Sequence, residues 1–445
     1  MQCSMGDSPP TGGNGGDALD FSIAARPVLP TPDRAWNCTP NTDTRSESLR
    51  RAYKFLLRPT AKQVAALEAC LEDTRQLYNA ALEERREAWR MRKHPVTLYS
   101  QDAQLKEIRA ADPEGVSRWS SQCVKATLRR LDRAFQAFYR RCKVGEKPGY
   151  PRFKGRGWWD SVEWPSHGNG CKWDSVPHPT VTRVYLMGIG HVRVHQHRAV
   201  KGTIKTVMIK REGSRWYVVL SCDDVPAEPL APTGAAVGID MGVASFLTMS
   251  DGRHVPNPRP LAAAANRLTA AQQALARKKR GSNRRRKAKA KVAALHGKVR
   301  RTRLDYAHKT ALALVRDHDL IVHEALQVAN MTRRPKPRPG EDGSYEPNGA
   351  AAKAGLNKSI LDAGWGSFLN ALHVKAESAG RVVIEVNPRH TSQRCVQCGH
   401  TAKGNRVSQA VFRCASCGHE AHADVNAAQN ILRAGLALQG ARDAA

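Results

Sequence analysis

Two cysteine pairs near the C-terminus, Cys395-x2-Cys398 and Cys414-x2-Cys417, are separated by fifteen residues. That spacing suits four thiolates closing a tetrahedron around one structural zinc ion. Each pair ends in Gly-His ("CVQCGH", "CASCGH"), and the glycine permits the tight knuckle that wraps two sulfurs onto one ion. A closed four-thiolate shell leaves no position for water, so this zinc is expected to be structural. His400, His419 and His422 fall outside the ligand set.

Three acids sit where acids are unusual. Asp240 ends the apolar run "AAVGID", Glu324 ends "LIVHE", and Asp424 opens the helical segment "ADVNAAQNIL". An apolar strand excludes a carboxylate unless something compensates its burial, and a divalent cation is one such compensation. Singly, each has an ordinary explanation: an Asx-turn for Asp240, a surface tip for Glu324, a helix N-cap for Asp424. Together, the order strand–acid–hairpin, strand–acid, helix–acid is that of an RNase H-like nuclease. There, hard carboxylate ligands hold two Mg²⁺ ions beside a phosphodiester. Glu385 in "VVIEV" also lies in an apolar strand but is left out, because the third acid of such folds rides on the last helix.

The elements that must position these groups follow from periodicity. Residues 1–50, rich in Gly, Pro, Ser, Thr and Asp, read as a disordered leader. "RAYKFLLRPT" gives a short strand. A helix then carries Val64, Leu67, Leu71, Leu77 and Leu82 on one face, and a second (120–143) carries Val124, Leu128, Leu131, Phe135 and Phe138. "GEKPGYPRFKGRG" closes that tract. From about 160 to 230 the period changes to two, with a hairpin at Glu212-Gly213-Ser214. This predicts a small antiparallel β-barrel, formed by 51–59 and 145–233 and interrupted by a helical insert, 60–144. An α/β nuclease domain is expected over 234–390 and 421–445, with a zinc-ribbon insertion at 391–420. Within it, two long helices are predicted at about 260–280 and 284–317, and the Pro-rich stretch 333–349 is a loop. The class is multidomain α+β.

Charge bounds the partners. Lys and Arg number 71 against 40 Asp and Glu, a formal net charge of +31. So basic a chain repels itself unless a polyanion neutralises it, and nucleic acid is the usual one. The run "RKKRGSNRRRKAKAK" concentrates the effect in Arg277, Lys278, Lys279, Arg280, Arg284, Arg285, Arg286 and Lys287. Like charges so dense destabilise a free helix, and phosphates relieve them. The aromatics of "RAFQAFYRR" and "GRGWWDSVEW" are read mostly as core. No apolar run of transmembrane length and no secretory signal occurs. Cys3, Cys38, Cys70, Cys123, Cys142, Cys171 and Cys222 are scattered without a disulfide pattern. These features fit a reducing, cytoplasmic compartment.

"GIDMGV", "IVHEAL", "NPRHTSQRCVQCGH" and "ADVNAAQNIL" resemble the RuvC and zinc signatures of TnpB proteins and of the compact type V CRISPR effectors related to them. "LRPTAKQVAALEACLEDTRQLYNAALEERREAW", "LRRLDRAFQAFYRR" and "GLNKSILDAGWGSFLNALHVKA" extend the resemblance over about 51–432. It implies an RNA-guided DNA endonuclease of prokaryotic cytoplasm, with guide RNA and double-stranded target DNA as partners. The barrel would be a wedge and its helical insert a recognition domain, binding the guide scaffold and a short motif flanking the target. Asp240, Glu324 and Asp424 would be catalytic magnesium ligands. Cys395, Cys398, Cys414 and Cys417 would hold the zinc, and Arg406 would contact the scissile phosphate. Two positions depart from the pattern: His422 and Ala325 stand where many relatives carry Asp.

Overall fold

The computed structural model describes residues 49–444 apart from 179 and 342. The expected leader therefore lies almost wholly outside the described residues.

Two sheets organise the chain. The first has seven antiparallel strands, with Leu49–Arg58 in the middle of the order. That strand pairs on one side with Arg215–Val225 and on the other with Gly190–His195. Its alternation buries Tyr53, Phe55 and Leu57 and leaves Ala52, Lys54 and Arg58 outward, the signature of a half-buried strand. The edge strands, Ser161–Trp164 and Cys171–Trp173, are consecutive in sequence and are not paired with each other. The ladder is therefore open at that seam, where a barrel would close it. Loop contacts stitch the seam instead: the His167 amide donates to the Lys205 carbonyl, and the Trp173 amide to His167 Nε2.

Three helices are inserted after the first strand. Ala61–Arg92 begins with a capping box, Thr60 and Gln63 satisfying each other's amides. Ser121–Lys143 packs its apolar stripe against it. Leu98–Ala111 lies between them. It escaped sequence reading because it buries only Gln101 and Leu105, too few positions for a periodic signal. Trp159 and Trp164 are buried, as core packing requires, whereas Trp158 is 81% exposed.

The second sheet runs His254–Pro256, Ser245–Met249, Ala236–Met241, Leu320–Glu324, Val382–Val386. Its last three strands are parallel. The predicted helix at 260–280 is broken in two, Pro260–Ala263 and Ala265–Ala276, with a turn at Ala264. Its partner, Asn283–Asp317, is continuous over 35 residues, about 52 Å at the α-helical rise. The final helix, Ala423–Asp443, crosses this sheet. Its Ala428 carbonyl would lie 2.2 Å from a Cβ at Gly238, and Val322 Cγ2 would lie 2.3 Å from a Cβ at Gly435. Gly238 is thus required by the close approach of the helix backbone, and Gly435 by the Val322 side chain packed against the helix.

Gly238→Ala should push the helix off the sheet and cost at least about 1–3 kcal/mol, the usual range for overpacking. Gly440, where an added Cβ meets nothing, is the control: alanine there should be neutral or slightly stabilising. Denaturant melts of the two variants check the contrast.

Candidate functional site

Register brings the first two acids together. Leu320 pairs with Ala236 and His323 with Ile239, so one further step sets Glu324 beside Asp240 at the ends of adjacent parallel strands. Their side chains share a face. Glu385 pairs with His323 and therefore projects from the opposite face, away from both acids. The last helix approaches antiparallel to these strands, its start above their ends and its Gly435 over Val322. Asp424 lies in its first turn, where the positive end of the helix dipole favours a carboxylate.

Asp424 is not the cap. The helix starts at Ala423, the N-cap is His422, and its Nδ1 accepts the Asp424 amide at 3.2 Å. Because the imidazole meets this need, the Asp424 carboxylate is free to point elsewhere. Its Oδ1 accepts from Arg406 Nη2 at 2.8 Å. The His254 ring packs edge-on against His422 at 4.7 Å, and its Nδ1 lies 3.0 Å from the Thr248 hydroxyl. Thr248 is in turn the cross-strand partner of Asp240.

The electrostatics are those of like charges held close in a poorly solvated place. Burial, then the neighbouring Glu324 and Asp424 carboxylates, push the Asp240 pKa up from 3.8 to about 8; Arg406 and the Met241 amide oppose the shift. Burial also raises Glu324, against the Thr391 hydroxyl that donates to it and against Arg406. One guanidinium therefore acts on all three acids. Among the described residues, the four cysteines are the one group of His, Cys, Asp or Glu whose ligand atoms all lie within 4.8 Å of one another. A wider set of hard donors around unbalanced negative charge suits a pair of divalent cations.

The cysteine site is more tightly drawn. Cys395 and Cys417 sulfurs lie 3.7 Å apart, and those of Cys398 and Cys414 3.5 Å. Both are far beyond a disulfide bond and close to the ~3.8 Å edge of a tetrahedron built on Zn–S bonds of about 2.3 Å. The two knuckles are built alike: the Gly399 amide donates to the Cys395 carbonyl and the Gly418 amide to the Cys414 carbonyl. Amides of Cys417 and Ser416 pull the Cys414 thiol down to about 6, while the Cys398, Cys414 and Cys395 sulfurs beside it push Cys417 up to about 12, so the sulfurs share their protons unevenly, a balance that a cation bound to all four would remove. The donor set fits zinc.

Several supporting residues were not singled out from sequence. Asn426 and Asn430, one turn apart on the last helix, both donate to the Arg394 carbonyl, and Asn430 also to that of Thr391. Asn426 Oδ1 accepts the Val396 amide. Asn405, fully buried, donates to the Gln393 and His400 carbonyls and accepts the Ala415 amide, joining one knuckle to the other. The only sequence signal for them was asparagine within apolar surroundings. The basic residues 277–287 occupy the tip of the hairpin between Ala265–Ala276 and Asn283–Asp317 and are mostly exposed, well separated in the chain from the acids.

Three outcomes test this geometry. In metal-free protein the folded state holds the Asp240 proton more tightly than the unfolded chain, so stability should fall as pH rises from about 4 to about 8. Asp240→Asn should raise the metal-free Tm at pH 8 and flatten that slope. His422→Ala should cost about 1 kcal/mol by uncapping the helix, while His422→Asn, a good cap, should restore it; thermal melts separate the two. Cys414→Ser should release zinc, read by a colorimetric chelator, and loosen the segment from 391 to 432, read by amide exchange.

Comparison with known proteins agrees with this architecture. Residues 217–334 match the family model described as "Probable transposase" (OrfB_IS605), 365–431 match the "Cas12f1-like, TNB domain", and 49–94 match its "Helix-turn-helix domain" counterpart (HTH_OrfB_IS605). The chain is 34% identical over 389 residues to "Putative RNA-guided DNA endonuclease InsQ" of Escherichia coli (strain K12), covering 87% of this chain and 93% of that one. It is 32% identical over 401 residues to "Putative RNA-guided DNA endonuclease" of Streptomyces pristinaespiralis, covering 89% and 92%. A shorter stretch of 57 residues is 53% identical to "CRISPR-associated endodeoxyribonuclease Cas12f1" of Sulfoacidibacillus thermotolerans, covering 13% and 14%. Whole-length identity of this order, with the acids and thiolates set on the elements just described, makes the chain a member of the TnpB/OrfB (IS605) transposase family, related to the Cas12f-type RNA-guided endonucleases.

Proposed function

We propose that the protein is an RNA-guided DNA endonuclease whose Asp240, Glu324 and Asp424 hold two Mg²⁺ ions at one cutting centre. The observation that carries this reading is the meeting of three carboxylates from remote segments, two on neighbouring strand ends and one on a helix start, where burial and then the Glu324 and Asp424 charges raise the pKa of Asp240 to about 8. A fold without a cationic ligand gains nothing from that repulsion. Divalent ions at such a centre supply Lewis-acid stabilisation of the attacking and leaving oxygens of a phosphodiester.

The chain's own residues supply orientation. Thr391 fixes the Glu324 carboxylate, His422 fixes the backbone under Asp424, and Arg406 offsets the charge of the acids. We assign to Arg406 contact with the scissile phosphate once cations have relieved it of Asp424. The four cysteines hold one structural Zn²⁺ that sets the ribbon against the start of the last helix. The seven-stranded sheet and its helical insert act as wedge and recognition domain. The exposed residues Arg277, Lys278, Lys279, Arg280, Arg284, Arg286 and Lys287 contact nucleic-acid backbone, together with the half-buried Arg285, whose Nη1 also donates to the Leu275 and Lys278 carbonyls. Base pairing between guide and target supplies sequence specificity, as in other guided nucleases. No described helix is long and apolar enough to cross a membrane.

Sequencing the RNA that co-purifies with the protein identifies the guide. Reconstituted with that RNA, the protein should cut a matching duplex only with Mg²⁺ present. Asp240→Ala and Glu324→Ala should each lower cutting by more than the about 10–100-fold that loss of a ligand's supporting partner typically costs, with RNA affinity unchanged. Loss of RNA binding in these variants would count against the assignment.

A further inference from the structure

The face of the second sheet turned away from the acids carries a pair of imidazoles that no role above uses. His323 immediately precedes Glu324 in its strand and therefore points to the opposite side of the sheet, toward the helix Trp365–Ser378. It is 1% exposed. Its Nε2 lies 3.1 Å from Nε2 of His373 on that helix, with the two rings at 84°. His373 itself is exposed.

The partners of the pair fix its tautomers. His323 Nδ1 lies 2.9 Å from the Glu324 carbonyl, which can only accept, so Nδ1 carries the proton and Nε2 presents a lone pair. An imidazole that donates to a backbone carbonyl from one nitrogen and offers the other is the usual form of a metal-ligating histidine. In the metal-free protein His373 Nε2–H fills that lone pair. Moving this proton to His373 Nδ1 changes no charge and turns both Nε2 atoms into ligands. Two nitrogens on one tetrahedral ion, with bonds of about 2.0–2.1 Å, stand ~3.3–3.4 Å apart. The rings therefore need to separate by only a few tenths of an ångström.

A third donor stands beside them. Glu385 pairs with His323 across two parallel strands, so its side chain leaves the same face, and its charge acts on the His323 ring. Glu385 is exposed, and among the described residues no Lys or Arg forms an ion pair with it. The three donors do not all lie within 4.8 Å of one another. Rotation of the exposed Glu385 side chain, one strand spacing of about 4.8 Å away, spans the remainder.

We propose that His323, His373 and Glu385 form a site for one divalent transition-metal ion of the imidazole-preferring class, Zn²⁺ or Ni²⁺, with water completing its shell. The site is separate from the thiolate cluster and lies behind the sheet from the three acids. The ion ties the strand Leu320–Glu324 to the helix Trp365–Ser378 and, through His323 Nδ1–H, holds the backbone of Glu324 from the rear. None of this rests on the nuclease reading.

The test is equilibrium dialysis of the full-length protein, carrying one zinc per chain, against Ni²⁺ with Mg²⁺ in excess. Magnesium keeps the carboxylates supplied with an oxygen-preferring ion. Bound nickel and zinc are both counted by elemental analysis. Wild-type protein should take up one more nickel per chain than His373→Gln, with zinc content the same in both. Glutamine can still donate to His323 Nε2 but is a poor ligand, so the buried ring keeps its hydrogen bond and the nickel-free Tm should stay at the wild-type value. Glu385→Gln should weaken nickel binding by about tenfold or more, since even loss of a ligand's supporting partner costs about 10–100-fold. Nickel should raise the Tm of the wild type with concentration and leave that of His373→Gln unchanged. Equal nickel uptake by wild type and His373→Gln would overturn the inference, as would a nickel-induced rise in Tm that survives in the variant. Neither readout involves cutting, so either result leaves the nuclease reading where it stands.

Discussion

The last helix lies against the sheet at backbone distance, and the position of the candidate centre depends on that contact. The helix meets one strand at Gly238 and its neighbour at Val322, which faces Gly435, and these two contacts fix both the height and the direction of the helix. Once that direction is set, the start of the helix must hang over the ends of the parallel strands. A side chain at either point would lift Asp424 away from Asp240 and Glu324 while leaving every acid in the sequence intact. Packing and chemistry are here the same constraint.

Charge is arranged in the opposite spirit from packing. The core is largely apolar, whereas the acids and the exposed arginines are left with too much charge of one sign in each place. Carboxylates are crowded where burial disfavours them, and Arg406 alone compensates all three. Such local frustration is common at functional sites, where stability is given up for ligand affinity. The surrounding hydrogen bonds do not relieve the charge; they fix its geometry, through Thr391 for Glu324 and His422 for Asp424.

Much of this was legible in the chain. The Cys-x2-Cys pairs announced their own geometry because thiolate spacing is short-range and local. The sheet strands were legible because "GID" and "VHE" place an acid at the end of an apolar run. What could not be read was whatever depends on which element faces which. The cap of the last helix belongs to His422 and not to Asp424, because the imidazole two residues earlier accepts the Asp424 amide. Helix 98–111 hid because it buries so little. The open seam of the first sheet depends on the 165–170 connection, whose hydrogen bonds are irregular and leave no period. Arg58, Arg183 and Arg193 become neighbours only through strand register, which no one-dimensional pattern shows.

The cysteine ribbon enters and leaves through the same helix. Asn426 and Asn430 grip the chain at Thr391 and Arg394 on its way in, and His422 joins it to the helix on its way out. The two ends of the ribbon are thereby fixed to one rigid body, whatever happens between them. Beyond the buried staple at Asn405, the turn at 407–410 carries Val407 63% exposed, but its Gln409 carbonyl accepts from the Arg406 Nη2 that also holds Asp424, and its Ala410 carbonyl accepts the Ala423 amide at the helix start. Side chains on that tip can therefore be redecorated to meet new surfaces, whereas a change in its length would shift the guanidinium that offsets the acids and retune the chemistry at its root.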